Sequence, residues 1–376
     1  MTLRVLTIAD RDFANREHDL LRRVESGLRD SGIALARAVP HGVTDWDASM
    51  VEMVIGYDDV SGIFIAEKAH RTILSAVRGS DASGVFKGSS PIDVVHGWGH
   101  DSFRIAADIA CASGASLALD ISSEDAVGEL RGVRGRLEHP SGAHGTRVCL
   151  LACDEALYGR ARDRMPESEV RLVPWGVGGG RSDEESVGGP VTVSVMCTGR
   201  SRPDVLAALD GIAEARKTLG EMLVFLDEQA LDRTASLHRY IEDLGLEDCL
   251  SVIGNMESGR ELILETDALI APDLGLEHRS LVLEALAHGM GVFVYEGCFL
   301  KESGEDPAYE VVPRRSPEAL ANAILGYFRD SGMREQRAGR AREYARTYHD
   351  ARAHLRRLID GYDSVVESRS VPIRGA

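Results

Sequence analysis

The sequence is short of positive charge. Its 376 residues carry 43 Lys and Arg against 60 Asp and Glu, a formal net charge of −17. A partner that presents a phosphate backbone needs a basic face, so the balance argues against DNA or RNA. It argues equally against an anionic membrane surface as the main partner. Disulfide and zinc frameworks are also missing. The six cysteines, Cys111, Cys149, Cys153, Cys197, Cys249 and Cys298, form no C-x-x-C pair, and no His cluster completes a zinc site. Several lie in apolar, strand-like runs, as buried free thiols do. No apolar run approaches the length of a membrane span. The opening MTLRVLTIAD reads as a short strand rather than a signal peptide. A reducing, cytoplasmic setting is the expectation.

What is there is a soluble, globular composition, 44% hydrophobic and 27% charged, in a chain long enough for two domains. Strand-like and helix-like runs alternate. LRVLTIA is followed by residues 17–30, where Leu20, Leu21, Val24 and Leu28 share one helical face. VEMVIGY, PIDVVHGW, SLALDIS, RVCLLAC and VRLVPWG read as further strands of the first half. The second half restarts with VTVSVMCTG and continues through EMLVFLD, CLSVIG, DALIAPD and GVFVYEG. Helices are expected near residues 203–219, 231–244, 258–265, 280–289 and 316–330, the last capped by Ser316, then 333–348 and 350–367. Such β-then-α order implies parallel sheets covered by helices on both faces. Between the halves, PWGVGGGRSDEESVGGP has no apolar period and reads as a linker. The expected plan is therefore an N-terminal Rossmann-like domain over 1–175 and a linker over 176–190. A C-terminal Rossmann-like domain then covers 191–345. A last helix, 346–376, packs back towards the N-terminal domain and ends in a frayed tail.

One stretch concentrates the chemistry: LGLEHRSLVLEALAHGM, residues 274–290. A helix begins near Ser280 and stops at Gly289. Helix N-termini offer unpaired backbone N–H groups and a partial positive charge, which together suit an anion. Glu284, four residues on, shares a face with Ser280. A carboxylate there can accept hydrogen bonds from a ribose diol while the N-terminus holds a phosphate. From spacing alone a plainer reading comes first, in which Ser280 caps the helix and Glu284 makes a salt bridge.

APDLGLEHRSLVLEALAHGMGVFV resembles the nucleotide-sugar motif of family-4 retaining glycosyltransferases, in which P-S-x-x-E-G-F-G-L leads to a second glutamate and an A-x-G-x-P-V-V ending. Pro272, Glu284, Gly289 and Val292 occupy matching positions. MCTGR, residues 196–200, is similar to the family's strand-end G-R. EGCFLKESGEDPAYEVVPRRSPEALANAI resembles its strand, acidic loop and S/D-P-E-A-L-A helix. ACDEALYGRARDRMPESEVRLVPWGV resembles its last N-domain helix and strand, and PIDVVHGWGHDSF its D-V-V-H-x-H. The resemblance spans nearly the whole chain. It implies an α/β, GT-B architecture, two Rossmann-like doubly wound domains facing a cleft with C-terminal helices, and a retaining transfer from a nucleotide-diphosphate sugar to an unknown glycan, lipid or small-molecule acceptor. It implies donor diphosphate contacts from Arg200, Arg202, Ser280 and Leu281, a ribose contact from Glu284, and catalytic roles for His100 and His96. Glu277 and Arg279 would lie at the donor sugar. No cofactor and no metal are implied, since no D-x-D donor-metal motif stands in a suitable loop and Asp58-Asp59 reads as a solvated turn.

The departures from the family pattern define a second reading. The first motif glutamate falls at Leu276, and Glu277 is one residue late. The G-F-G glycines become Glu277 and Arg279, and the second histidine of D-V-V-H-x-H is Trp98. The loop after the first strand, DRDFANREH, has no glycine where the family has several. These changes suit a catalytically degenerate GT-B protein that binds a nucleotide sugar, a glycan or a partner without transferring. The plainer alternative to a catalytic role makes His96 a packed strand-end residue and His100 a surface one.

Overall fold

The computed structural model describes residues 2–43, 48–58, 63–78, 92–138, 146–180, 189–197, 199–234, 236–272, 278–298, 300 and 307–367. It divides into two compact units, one of Met1–Trp175 with Arg352–Ala376, the other of Gly176–Ala351.

The first unit starts with β1 (Arg4–Ala9), α1 (Arg11–Arg16), α2 (His18–Asp30), β2 (Ala34–Pro40), β3 (Met53–Tyr57) and α3 (Ile63–Arg78). It continues with β4 (Val94–Trp98), α4 (Phe103–Ser113), β5 (Ser116–Ile121), α5 (Glu124–Leu137), β6 (Val148–Ala152), α6 (Glu155–Arg164) and β7 (Glu169–Leu172). The strands form one seven-stranded sheet, order β3-β2-β1-β4-β5-β6-β7. Every pairing is parallel; Leu6 of β1, for instance, lies between Ala36 of β2 and Val95 of β4. Strands covered on both faces carry continuous apolar runs, and β1, β2, β4, β5 and β6 are buried throughout. The apolar stripe Leu20, Leu21, Val24 and Leu28 is the buried face of α2.

The second unit holds β8 (Val191–Val195), α7 (Arg202–Leu219), β9 (Met222–Asp227), α8 (Glu228–Arg233), α9 (Leu237–Asp243), β10 (Leu250–Ile253) and α10 (Arg260–Leu264). It closes with β11 (Ala268–Ala271), α11 (Arg279–His288), β12 (Gly291–Tyr295), β13 (Glu310–Val312), α12 (Pro317–Arg329) and α13 (Ser331–Tyr348). Its parallel sheet has the order β10-β9-β8-β11-β12-β13. One core face packs Val193, Val195, Val224, Leu226, Ile270 and Phe293 under α7 and α12. The chain then returns to the first unit as α14 (Ala351–Glu367), whose Leu358, Tyr362 and Val365 are buried there.

Five features differ from the sequence expectation. The strand β2, ALARAVP, has a charge at its centre, yet Arg37 is buried. Its Nε donates to Glu25 Oε1 of α2 at 2.8 Å, and the pair neutralises itself inside the core. Between β5 and β6, Ser123 caps an additional helix, α5, by accepting from the Ala126 amide. The expected single helix over 231–244 is broken into α8 and α9 at Ser236, which adopts the left-handed conformation, φ 66°. Ser316 stands at the N-cap of α12, but its side chain makes no capping bond. The start of the expected linker is packed rather than free: Val177 is buried and its amide donates to His349 O at 2.8 Å.

Candidate functional site

In each doubly wound sheet the crevice for ligands lies at the carboxyl ends of the strands, where the strand order reverses direction. In the second unit that point falls between β8 and β11, which pair through Leu269 opposite Ser194. The β8 chain leaves through Gly199, Arg200 and Ser201 into α7. Gly199 has φ 71°, and a Cβ there would stand 3.0 Å from Ala230 Cα on α8, so this turn accepts only glycine. It presents Arg200 and Arg202 outward, and both are exposed.

Two residues on, Asp204 sits in the first turn of α7 and is completely buried. It accepts from Ser201 Oγ at 2.5 Å and Arg315 Nε at 3.1 Å, and it also pairs with Arg314. Arg315 is held at φ 56°, a left-handed conformation uncommon outside glycine. Two arginine-bearing segments, the turn of Arg200 and Arg202 and the Arg314-Arg315 pair, thus meet around the start of α7.

From β11 the described chain resumes at His278, the N-cap of α11, with φ 59°. His278 is 2% exposed, and its Nε2 lies 3.9 Å from Asp227 Oδ2, the residue that caps α8 from the end of β9. Helix α11 begins at Arg279, one residue before the expected start, and Arg279 through Ala287 are all buried. That burial accounts for the apolar body of the helix, which packs against β11, β12, α10 and α13.

Ser280 does not cap. Its hydroxyl accepts from Arg260 Nη2 at 2.9 Å. Glu284, 6% exposed, accepts from Arg260 Nη1 at 2.5 Å. The Leu281 amide is already engaged, donating to His278 O at 3.0 Å, and its side chain is fully buried. Glu277 lies outside the described residues.

In the first unit the reversal falls between β1 and β4. Asp10 follows β1 directly and is 5% exposed. Its Oδ1 accepts from the Phe13 amide at 2.7 Å, capping α1, and its Oδ2 accepts from the Asp101 amide at 3.1 Å. Burial pushes the Asp10 carboxyl up to about 6, against the lowering influence of the Phe13 bond and of nearby His100. The gap in the glycine-free loop is filled by α1 itself. His100 opens a short turn after β4, with about a third of its side chain exposed.

His96 is not at the crevice. It is fully buried on β4, its Nδ1 2.6 Å from the Tyr362 hydroxyl of α14 and its ring 4.2 Å from that of Trp98. Burial, with His354 nearby, drives its pKa down to about 3. An imidazole so enclosed has no route to a substrate, and the structure leaves it a packing role.

Of the expected site residues, Arg200, Arg202, Arg279, Ser280, Leu281 and Glu284 belong to the second unit and flank one reversal point. His100 and His96 belong to the first unit and are separated by burial. Sequence reasoning missed Asp10, Asp204, Arg260, Glu257 and the Arg314-Arg315 pair. An acid directly after the first strand of a doubly wound sheet was a usable signal for Asp10. Arg260 carried none, because Glu257 three residues earlier reads as an ordinary local ion pair and its meeting with Ser280 and Glu284 is set by the tertiary fold. Asp58 pairs with Lys68, and Asp59 lies outside the described residues. Among the described residues no helix is long and apolar enough to cross a membrane. Among them, too, no group of three His, Cys, Asp or Glu side chains is disposed to hold a metal.

No protein-family profile and no curated protein sequence matches the chain. Solved structures do. A glycosyltransferase from Rickettsia africae ESF-5 superposes with a TM-score of 0.69 at 12% identity, over 97% of this chain and 99% of that one. Anabaena HepE in complex with UDP and glucose gives 0.70 at 14% identity, over 96% and 100%. Sucrose-phosphate synthase from Thermosynechococcus elongatus gives 0.69 at 13%, over 97% and 100%. This is the GT-B fold. In GT-B terms the second unit is the C-terminal domain, so Arg200, Ser280 and Glu284 all stand at the reversal point of its sheet, and Asp10 and His100 at that of the N-terminal domain.

Proposed function

We propose that the chain is a retaining glycosyltransferase that moves a sugar from a nucleotide-diphosphate sugar to a glycan, lipid or small-molecule acceptor. The observation that carries this reading is that exposed Arg200 and Arg202 and the Ser280–Glu284 turn of α11 follow the two strands, β8 and β11, that flank one reversal point of the C-terminal sheet. HepE, of the same fold, was solved with UDP and with UDP-glucose, which supports a nucleotide sugar as the donor. Glu284 then takes the ribose hydroxyls, and Arg200 and Arg202 face the diphosphate.

Transfer breaks the bond between the anomeric carbon and the diphosphate, leaving a negative charge on the departing oxygen. Fixed positive groups aimed at that charge lower the barrier. The acceptor hydroxyl attacks the anomeric carbon from the same side, and its proton passes to the departing phosphate. Positive charge from side chains does this work without calling on a metal. In the N-terminal domain, Asp10 and His100 are the polar side chains best disposed to meet an acceptor, and His96 is not among them.

The test is calorimetric titration with UDP, GDP and ADP, followed by turnover with the matching sugar nucleotides. Selective binding of one diphosphate, lost in Glu284→Ala, is the expected result. Arg200→Ala combined with Arg202→Ala is expected to abolish turnover while the circular dichroism spectrum stays that of the parent. Transfer at the parent rate by this double variant would remove the leaving-group assignment. Absence of any nucleotide binding by the parent would overturn the proposal.

A further inference from the structure

We propose that Arg260 is a positioning residue for the donor ribose, holding the Glu284 carboxylate in the orientation that receives the ribose hydroxyls. The inference rests on the ribose reading of Glu284 given above. Arg260 opens α10 and is 7% exposed. Its guanidinium grips Glu257 with two prongs, Nε at 2.8 Å and Nη2 at 2.7 Å. The same group reaches across to α11, where Nη1 donates to Glu284 Oε2 at 2.5 Å and Nη2 to Ser280 Oγ at 2.9 Å. One planar fork therefore ties the turn before α10 to two successive turns of α11.

The chemistry of the group points to a hydroxyl-bearing ligand. A guanidinium has five N–H donors in fixed directions, so it holds several acceptors in one rigid arrangement where a lysine ammonium cannot. A carboxylate has about four lone-pair positions. The bond from Arg260 Nη1 to Oε2 fixes the Glu284 rotamer, so less ordering is left for the ligand to impose.

The Glu284 carboxylate favours a diol, which donates, over a further phosphate on the ribose, which does not. A buried ion network is a costly way to stabilise a helix contact, because apolar residues of the same volume serve as well or better. Its location also matters: it sits at the first turns of α11, beside the reversal of strand order.

Calorimetry with UDP and its 2′-deoxy and 3′-deoxy forms tests this, with GDP or ADP series substituted if the parent selects another base. The parent should prefer the full ribose by about tenfold or more, as for a hydrogen bond to a charged group. Arg260→Lys keeps the positive charge but loses the fork. It should reduce the preference to about twofold with little change in the affinity of the deoxy forms, a split that general loosening of the fold would not produce. Glu257→Gln, which leaves Arg260 and Glu284 in place but removes one charge that orients the guanidinium, should lower the preference by a smaller factor. It carries the test if the lysine variant does not fold. An unchanged preference in the folded variants, with the preference abolished in Glu284→Ala, would overturn the role of Arg260 and leave the ribose reading standing. A parent that binds no nucleotide, or binds the deoxy forms equally, would overturn both.

Discussion

Burial keeps the His96 imidazole neutral down to about pH 3 in the folded chain, whereas an unfolded histidine takes up a proton near 6.5. Between those values the unfolded state binds more protons, so this residue's contribution to stability falls as pH drops below about 6.5. Asp10 acts in the opposite sense. Its folded pKa is about 6 against an ordinary 3.8, so the native state keeps a proton that the unfolded state has lost. Its contribution falls as pH rises through that window, and the two partly cancel. Substitution separates them. The stability gap between the parent and His96→Gln should shrink by up to about 1.4 kcal/mol for each pH unit below 6.5. Urea midpoints at pH 7, 6 and 5 measure it, and a constant gap would rule out a neutral buried His96. Asp10→Asn is a second residue-scale test, since asparagine caps a helix as well as aspartate does. Turnover should fall, with only a small drop in melting temperature from the lost Asp101 bond; equal turnover would leave Asp10 with its two backbone bonds alone.

At the scale of elements, the turn after β4 depends on Gly99. It has φ 78°, and an added Cβ would stand 2.2 Å from Asp10 Oδ2. Gly99→Ala should therefore cost about 1–3 kcal/mol and displace the Asp10 carboxylate, detectable as a lowered urea midpoint with reduced turnover. A midpoint equal to the parent's would show that the turn relaxes freely. The same scale shows what could be read from residues. Apolar runs such as RVLTIA and VCLLA became buried parallel strands, since a strand covered on both faces needs no polar alternation. β2 escaped notice because Arg37 interrupts its run, and the partner that makes it tolerable, Glu25, lies on another element. The break between α8 and α9 went unread as well, because nothing in the apolar spacing marks a left-handed serine.

At the scale of the molecule, the last helix completes the first core. Leu358, Tyr362 and Val365 are at most 2% exposed. Ser116 Oγ donates to Val365 O at 3.1 Å, and a Cβ on Gly27 of α2 would collide with Leu355. A chain ending at Ala351 would leave that face of the first unit open while the second unit keeps all its elements. Limited proteolysis of such a truncation should degrade the first unit and leave a resistant fragment close to residues 176–351. Survival of both units would mean that α14 is dispensable to the first core.

The sequence by itself determined the alternation of strands and helices, the low-complexity break between the halves, and the resemblance that singled out Arg200, Ser280 and Glu284. These are local properties, set by apolar period, turn residues and short motifs along the chain. Only the tertiary structure decided which polar side chains meet. Glu284 and Arg260 are 24 residues apart, and His96 and Tyr362 are 266 apart. Their meeting depends on strand order and on the return of α14, and burial then keeps the His96 imidazole neutral. That is why two residues suggested by one resemblance parted company: His100 stands in the turn after β4, where the strand order reverses, and His96 became part of the core.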